Sequence, residues 1–287
     1  MRTTFIAAIL CFGTAMSFGQ QLHLAASSGY NWGANRSDCE NFLYNKLVGV
    51  FYPQNKERFY YSAGKGMNFN LGLGYTTKRN IGIALEGSYL LGTKNAEETN
   101  YFGTDVFKKE IWGRFYRINS EIYIVQPIQK WSLRIAVGGL IGFGKMYLVQ
   151  SATYNEGILS FQYRNEFSGG YSVGFKAGLS AQYPVSKQLN VFLDLNWINA
   201  YFSPTRMRVT KFVSGEYDYT DNLDVWDREV RYSNSVDKVF YSPDEPAHML
   251  RERFAASSIG LQLGVQWVLW RKGDKEVGEQ EIGRAHV

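Results

Sequence analysis

Along most of the chain, large apolar residues alternate with small or polar ones at a period of two. That period puts successive side chains on opposite faces of a strand and predicts β-structure. Eight segments carry it, over 22–32, 67–75, 81–91, 116–124, 133–143, 171–183, 189–197 and 259–269. In the second, Met67, Phe69, Leu71, Leu73 and Tyr75 alternate with Asn68, Asn70, Gly72 and Gly74. In the eighth, Ile259, Leu261, Leu263, Val265, Trp267 and Leu269 alternate with Gly260, Gln262, Gly264 and Gln266. Phe192 and Ile198 interrupt the polar row of the seventh. Each segment matches the roughly 9–11 residues that a tilted strand needs to cross a bilayer.

The connections alternate in length. Short ones fall at 76–80, 126–130 and 184–188, and long ones at 33–66, 92–110, 147–170 and 202–256. The first segment therefore begins, and the eighth ends, on the short-turn side. This plan predicts an all-β fold, an eight-stranded antiparallel up-and-down transmembrane β-barrel with short periplasmic turns and long extracellular loops. A soluble barrel fills its interior with bulky apolar side chains and turns polar ones to water. Here Gly, Ser, Asn and charge share one face, as a narrow lumen requires, and Leu, Ile, Val and Phe share the other, as lipid requires. Residues 147–167 keep the alternation, with a hairpin tip at 155–157, and 206–232 holds further β-like stretches. The barrel is expected to project as a hairpin-rich crown. No helix and no second domain are predicted.

Composition sharpens this picture. Aromatic residues make up 16% of the chain, with 7 Trp, 20 Tyr and 19 Phe. Many gather at segment ends. Tyr75, Trp131, Tyr183, Trp267 and Trp270 lie near the short turns, and Tyr30, Trp32, Tyr89, Trp112, Tyr171 and Tyr201 near the long loops. Two interfacial girdles are expected there. With 45% hydrophobic and 20% charged residues the chain is too apolar for disorder. A net charge of +5, spread diffusely, does not point to nucleic acid.

The ends read differently. Residues 1–19 form a signal peptide: Arg2, an apolar core over 5–16, and Ser17 and Gly19 before a cut at Gln20. The barrel is expected over 20–270, followed by a charged tail over 271–281. Residues 282–287 (IGRAHV) resemble a translated sequencing adapter and are set aside. After export Cys39 is the one remaining cysteine, so no internal disulfide forms.

By parity, Glu86, Arg117, Glu121, Arg134, Lys176 and Asp194 point into the lumen. Three acids and three bases are expected to ion-pair and plug it, because an unpaired buried charge is costly. Counting back from the turns places Glu121 beside Arg134 and makes Lys176 and Asp194 a diagonal contact. Glu86 is expected to pair with Arg117. Other chemistry is sparse. His23 falls on the inner face and His248 in the last long loop, and no His pair has metal-ligand spacing. An enzyme reading would enlist His248 with Ser257 or Ser258. The acidic run Glu216, Asp218, Asp221, Asp224, Asp227 and Glu229 lacks EF-hand spacing and reads as a solvated loop.

The signal peptide, the eight amphipathic segments and the closing LQLGVQWVLW of 261–270 resemble small outer-membrane barrels of the OmpA/OmpX-like kind, in a style similar to barrels from Bacteroidota. The resemblance spans roughly residues 20–270 and is one of architecture. It implies outer-membrane lipid as the surroundings and an envelope or extracellular protein partner through the loops. The residues themselves offer no cofactor, metal or catalytic set, so no enzyme is expected. Such barrels serve as anchors, adhesins, narrow channels or lipid A-modifying enzymes. The expectation for this chain is a closed barrel with structural or interaction roles. The alternatives are a passive channel and, behind it, an enzyme.

Overall fold

The computed structural model describes residues 19–34, 37–38, 60–101, 105–154, 159–235 and 241–271. The signal peptide up to residue 18, Cys39, the 155–157 tip, the tail after Arg271 and the adapter-like end lie outside the described residues.

Eight strands form a closed ring. They are β1 (Gly19–Gly33), β2 (Gly66–Thr77), β3 (Ile81–Gly92), β4 (Asp105–Ile128), β5 (Trp131–Tyr154), β6 (Tyr171–Pro184), β7 (Leu189–Ser203) and β8 (Ser258–Arg271). Each pairs antiparallel with its neighbours in sequence, and β1 pairs with β8 to close the ring. That closing ladder runs from Gln21 opposite Arg271 to Gly33 opposite Ser258, with a bulge at Leu22 and His23. β1 starts at Gly19 and β8 runs through Arg271, one residue past each expected barrel limit.

Three tight turns join the strands at one end. Asn80 (φ 60°) sits in the first and Gln129 (φ 53°) in the second, both in the left-handed region. Asn accepts that conformation through its short polar side chain. The second turn has only Gln129 and Lys130 between the last facing pair, Ile128 and Trp131. The turn is shorter than the connection expected over 126–130, so every facing pair on β4 and β5 moves by three.

Alternation sorts the side chains as the eight segments imply. Leu71, Ile122, Ile135, Val137 and Leu263 stand outward and exposed, while Asn70, Arg117, Asn119, Glu121 and Gln262 are buried inside.

At the other end β4 and β5 do not stop at the barrel. Each has 24 residues, about twice the span a bilayer needs. Their extension is joined by strands Asn95–Tyr101, Leu159–Ser168, Arg206–Ser214, Glu229–Ser233 and Ala247–Leu250. The last two pair in parallel, a departure from the antiparallel plan that is confined to this crown. A helical turn, Val225–Arg228, with a 3-10 turn at Thr220–Asn222 just before it, also departs from the all-strand expectation. Asp224 caps it by accepting from the Asp227 N–H at 2.8 Å. A four-residue turn is too short to show helical periodicity in sequence.

The apolar core lies at this long-loop end. Leu90, Ile111, Phe115, Met146, Phe202, Met207 and Val209 belong to one buried cluster with Tyr61, Phe254 and Ala256. The lumen is therefore polar in its short-turn half, while its long-loop half holds this apolar core against a wall that stays polar at Asn31, Asn68, Asn196 and Ser258. The expectation of a small-and-polar interior holds only for the first half. Ile198, which breaks the polar row of its segment, sits in this core. Phe202 packs edge-on against Phe115 at 5.1 Å. Phe202→Ala should cost about 3–5 kcal/mol of stability through lost burial and a cavity. Tyr217→Ala, at a side chain 69% exposed, should cost under about 0.5 kcal/mol. Urea unfolding in detergent micelles compares the two.

Candidate functional site

Strands β3 to β6 bring four of the six lumen charges together. Glu121 on β4 faces Gly138 on β5, and Gly138 faces Lys176 on β6. With no side chain on the middle strand, Lys176 reaches Glu121 over the glycine, Nζ to Oε1 at 2.9 Å. A methyl at Gly138 would run into the Ser120 carbonyl and the Glu121 backbone. The same ammonium crosses the lumen to Glu86 on β3 at 2.8 Å. Arg134 donates to Glu121 at 2.9 Å, and its guanidinium lies 4.2 Å above the Tyr123 ring. Asn119 donates to Glu86 at 2.8 Å. Two cations and two carboxylates thus compensate one another where hydration is scarce, which is what lets them stay ionised.

Only part of the expected pairing is present. Glu121 and Arg134 do bond, although Arg134 itself faces Val125. Lys176 and Asp194 do not form an ion pair: Asp194 faces Ser180 and accepts a hydrogen bond from Asn196 at 3.4 Å. Lys176 crosses the lumen instead, because an eight-strand barrel is narrow and a lysine is long. Glu86 and Arg117 do not pair either. Arg117 faces Ser88 and turns toward the apolar half, donating to the Ala256 carbonyl at 3.4 Å and lying 5.5 Å from the Phe115 ring. Its Nε and Nη1 have no hydrogen-bond partner among the described residues.

The cluster separates two spaces. A void of about 30 Å³ lies among Glu86, Glu121, Arg134, Lys176, Asp194 and Gln262, room for about one water. Below it, a cup of about 260 Å³ opens toward the short turns. Above it, Leu90, Phe115, Ile198 and Phe202 fill the bore, each at most 2% exposed. A polar network of Ser27, Asn68, Asn70 and Gln262 lines the β1–β2–β8 side: Asn68 donates to Asn70, which donates to Ser27 and to Gln262.

The girdle residues mostly stand outward. Trp131, Tyr183, Trp267 and Trp270 are exposed at the short-turn end, with Trp131 and Tyr183 4.9 Å apart. Trp32, Tyr171 and Tyr201 are exposed toward the long loops, where Tyr30, Tyr89 and Trp112 are half-buried. Tyr30 packs on Trp32, Tyr89 on Tyr116 and Trp112 on Tyr147. Tyr75 departs from the set. It is 4% exposed, opposite half-buried Leu22 and Ile83, so it offers no surface to lipid. Alternation assigns a face but not how far neighbours cover it.

One face of the crown was not legible in sequence. Lys94, Lys108, Arg114, Lys145, Arg164, Arg206, Arg208, Lys211 and Arg231 lie on its outer side, with the carboxylates of Glu98, Glu110, Glu166 and Glu229 among them. Glu110 pairs with Lys94 and Lys108, Glu166 with Lys145 and Glu229 with Arg208. The hydrogen bond from Lys94 holds the Glu110 carboxyl below the usual carboxylate range, against the opposing effect of burial. Arg164 lies over both Trp112 and Tyr147, at 5.8 and 5.4 Å. These cations come from segments more than a hundred residues apart, so no local charge run announces them.

Elsewhere the acidic run is occupied with local structure. Asp218 accepts from the Thr220 N–H and hydroxyl, and Asp224 from Asp227 and the Tyr241 hydroxyl. Among the described residues no three His, Cys, Asp or Glu side chains group as metal ligands. His248 is exposed, whereas Ser257 and Ser258 are fully buried, and the Ser257 hydroxyl is engaged by Asn199 and Ala200. His23 is buried on the lumen side as parity implies.

Lys176→Met should leave Glu86 without an ion-pair partner and cost about 3–5 kcal/mol of stability. Adding Glu86→Gln should return part of that loss, because the two sites share one interaction. Urea unfolding of the two single variants and the double variant measures the coupling.

No protein-family model matches the chain, and no curated protein sequence does. The solved structures to which it is similar include two outer-membrane proteins. CarO2 of Acinetobacter baumannii is similar at 12% identity and a TM-score of 0.35, over 88% of this chain and 100% of that one. The outer membrane protease OmpT of Escherichia coli is similar at 9% identity and a TM-score of 0.29, over 87% of this chain and 94% of that one. At such values the assignment of the eight-strand barrel rests on the strand pairings of this chain itself.

Proposed function

We propose that this chain is an integral outer-membrane β-barrel of the small OmpA/OmpX-like kind, with a closed lumen and a crown that serves as an interaction surface outside the cell. The observation that carries the reading is the inverted barrel. Leu71, Ile122, Val137, Ile141 and Leu263 stand more than half exposed around the ring, while Lys176 and Glu121 are buried within it. Exposed apolar surface on that scale is unstable in water and suited to hydrocarbon. Aromatic residues at both ends of the band fit a bilayer's two interfaces.

The filled bore supports a closed barrel over a channel. Charge blocks its middle and apolar side chains block the long-loop end. The crown's basic outer face supports an acidic partner or an anionic surface as what the loops meet.

Two measurements test this. In a Cys39→Ser background, Asn222→Cys should react with an impermeant maleimide on intact cells, and Lys187→Cys should not. The reverse pattern overturns the orientation, and recovery in the soluble fraction overturns the membrane reading. In planar bilayers the wild type should show no steady conductance. Glu121→Ala with Arg134→Ala should also stay closed, because the seal of Leu90, Phe115 and Phe202 remains. A large steady wild-type conductance overturns the closed reading.

A further inference from the structure

We infer that the cup at the short-turn end is a binding site for a small divalent oxyanion, of the size of inorganic phosphate or a four-carbon dicarboxylate. Among the described residues, the cup is lined by Lys130, Arg134 and Arg271, with amide and hydroxyl groups around them and no carboxylate. Arg134 forms its inner end. One nitrogen of its guanidinium holds Glu121, and its Nε has no hydrogen-bond partner among the described residues. His23 lines the same cup, is 3% exposed, and has an unpartnered Nδ1. Buried polar nitrogens without partners mark a place where a ligand gains more than it gains in water.

The rim adds to the field. The turns carry Lys78, Arg79, Lys130 and Lys187, and among the described residues of these turns there is no Asp or Glu. Cations around a low-dielectric mouth concentrate anions inside it. The volume sets the size of the guest. About 260 Å³ lies just below the range of roughly 300–1,000 Å³ typical of small-molecule pockets, and holds roughly eight or nine waters. A dianion of five to eight heavy atoms can lie between Arg134 and the rim cations, each contact a charge-assisted hydrogen bond. The site is independent of what the crown binds and does not require the barrel to conduct.

Isothermal titration of the full chain in neutral detergent at low salt tests it, with succinate and inorganic phosphate as probes and 1,4-diaminobutane as the cationic control. Saturable binding of at least one dianion, weakened by added salt, is expected, with none of the diamine. Lys130→Gln with Arg271→Gln, both at the mouth, should weaken binding at least tenfold. Lys78→Gln with Arg79→Gln, which alters the rim but not the lining, should change it less than threefold. The β-sheet circular dichroism of each variant shows that it is folded, and Arg271→Gln alone gives a graded loss should the pair fold poorly. No heat with either dianion, equal binding of the diamine, or equal losses in the two double variants overturns the proposal. The last outcome would mean diffuse counter-ion attraction to the rim.

Discussion

Everything in this molecule depends on β1 meeting β8. That ladder, from Gln21 and Arg271 to Gly33 and Ser258, turns a sheet into a ring. A ring has no edge strands, so every barrel strand has two hydrogen-bonded neighbours. It also creates two environments that an open sheet lacks. The outside is continuous and apolar. The inside is so narrow that side chains from opposite walls touch. The cross-lumen bond from Lys176 to Glu86 exists only because β6 and β3, far apart in the sheet, face each other across the bore.

Narrowness also explains the pattern of inner side chains. Each long residue needs a small one beside it. Lys176 and Glu121 meet over Gly138. The Tyr123 ring occupies the space where a side chain at Gly82 would lie, and His23 does the same at Gly74. Charges held in this space are compensated by partners or by dipoles, since water is limited to small voids. The ion cluster thus acts as packing and as electrostatics together. It fixes where the bore closes and leaves a cup on one side of it.

The crown follows a different rule. Above the ring, the long β4–β5 hairpin turns one face inward, and strands from both earlier and later segments of the chain extend that sheet. Its inner face packs like a soluble core, around Ile111, Met146, Met207 and Val209. Its outer face is free to carry charge, and it gathers cations. One sheet therefore presents an apolar outer wall along part of its length and a charged outer face along the rest. The acidic run lies in the same crown, where Asp218 and Asp224 are spent on turns and a cap.

The sequence by itself determined the ring. A period of two over eight segments, with small and polar residues on one face, has few other solutions. It also assigned the six charges and His23 to the inner face, because parity is a local property. Register was less legible. The β4–β5 turn closes in two residues, three fewer than its composition implies, and that shift moves Arg134 from beside Glu121 to opposite Val125. Only the tertiary structure decided the partners. Lys176 found Glu86 and Glu121 rather than Asp194, and Arg117 turned to Ala256, because contacts across a lumen depend on barrel curvature and side-chain length. The apolar seal, the buried Tyr75, the basic crown face and the cup are likewise tertiary. Each is assembled from strands distant in sequence, and a pattern read along one strand carries no record of what stands opposite.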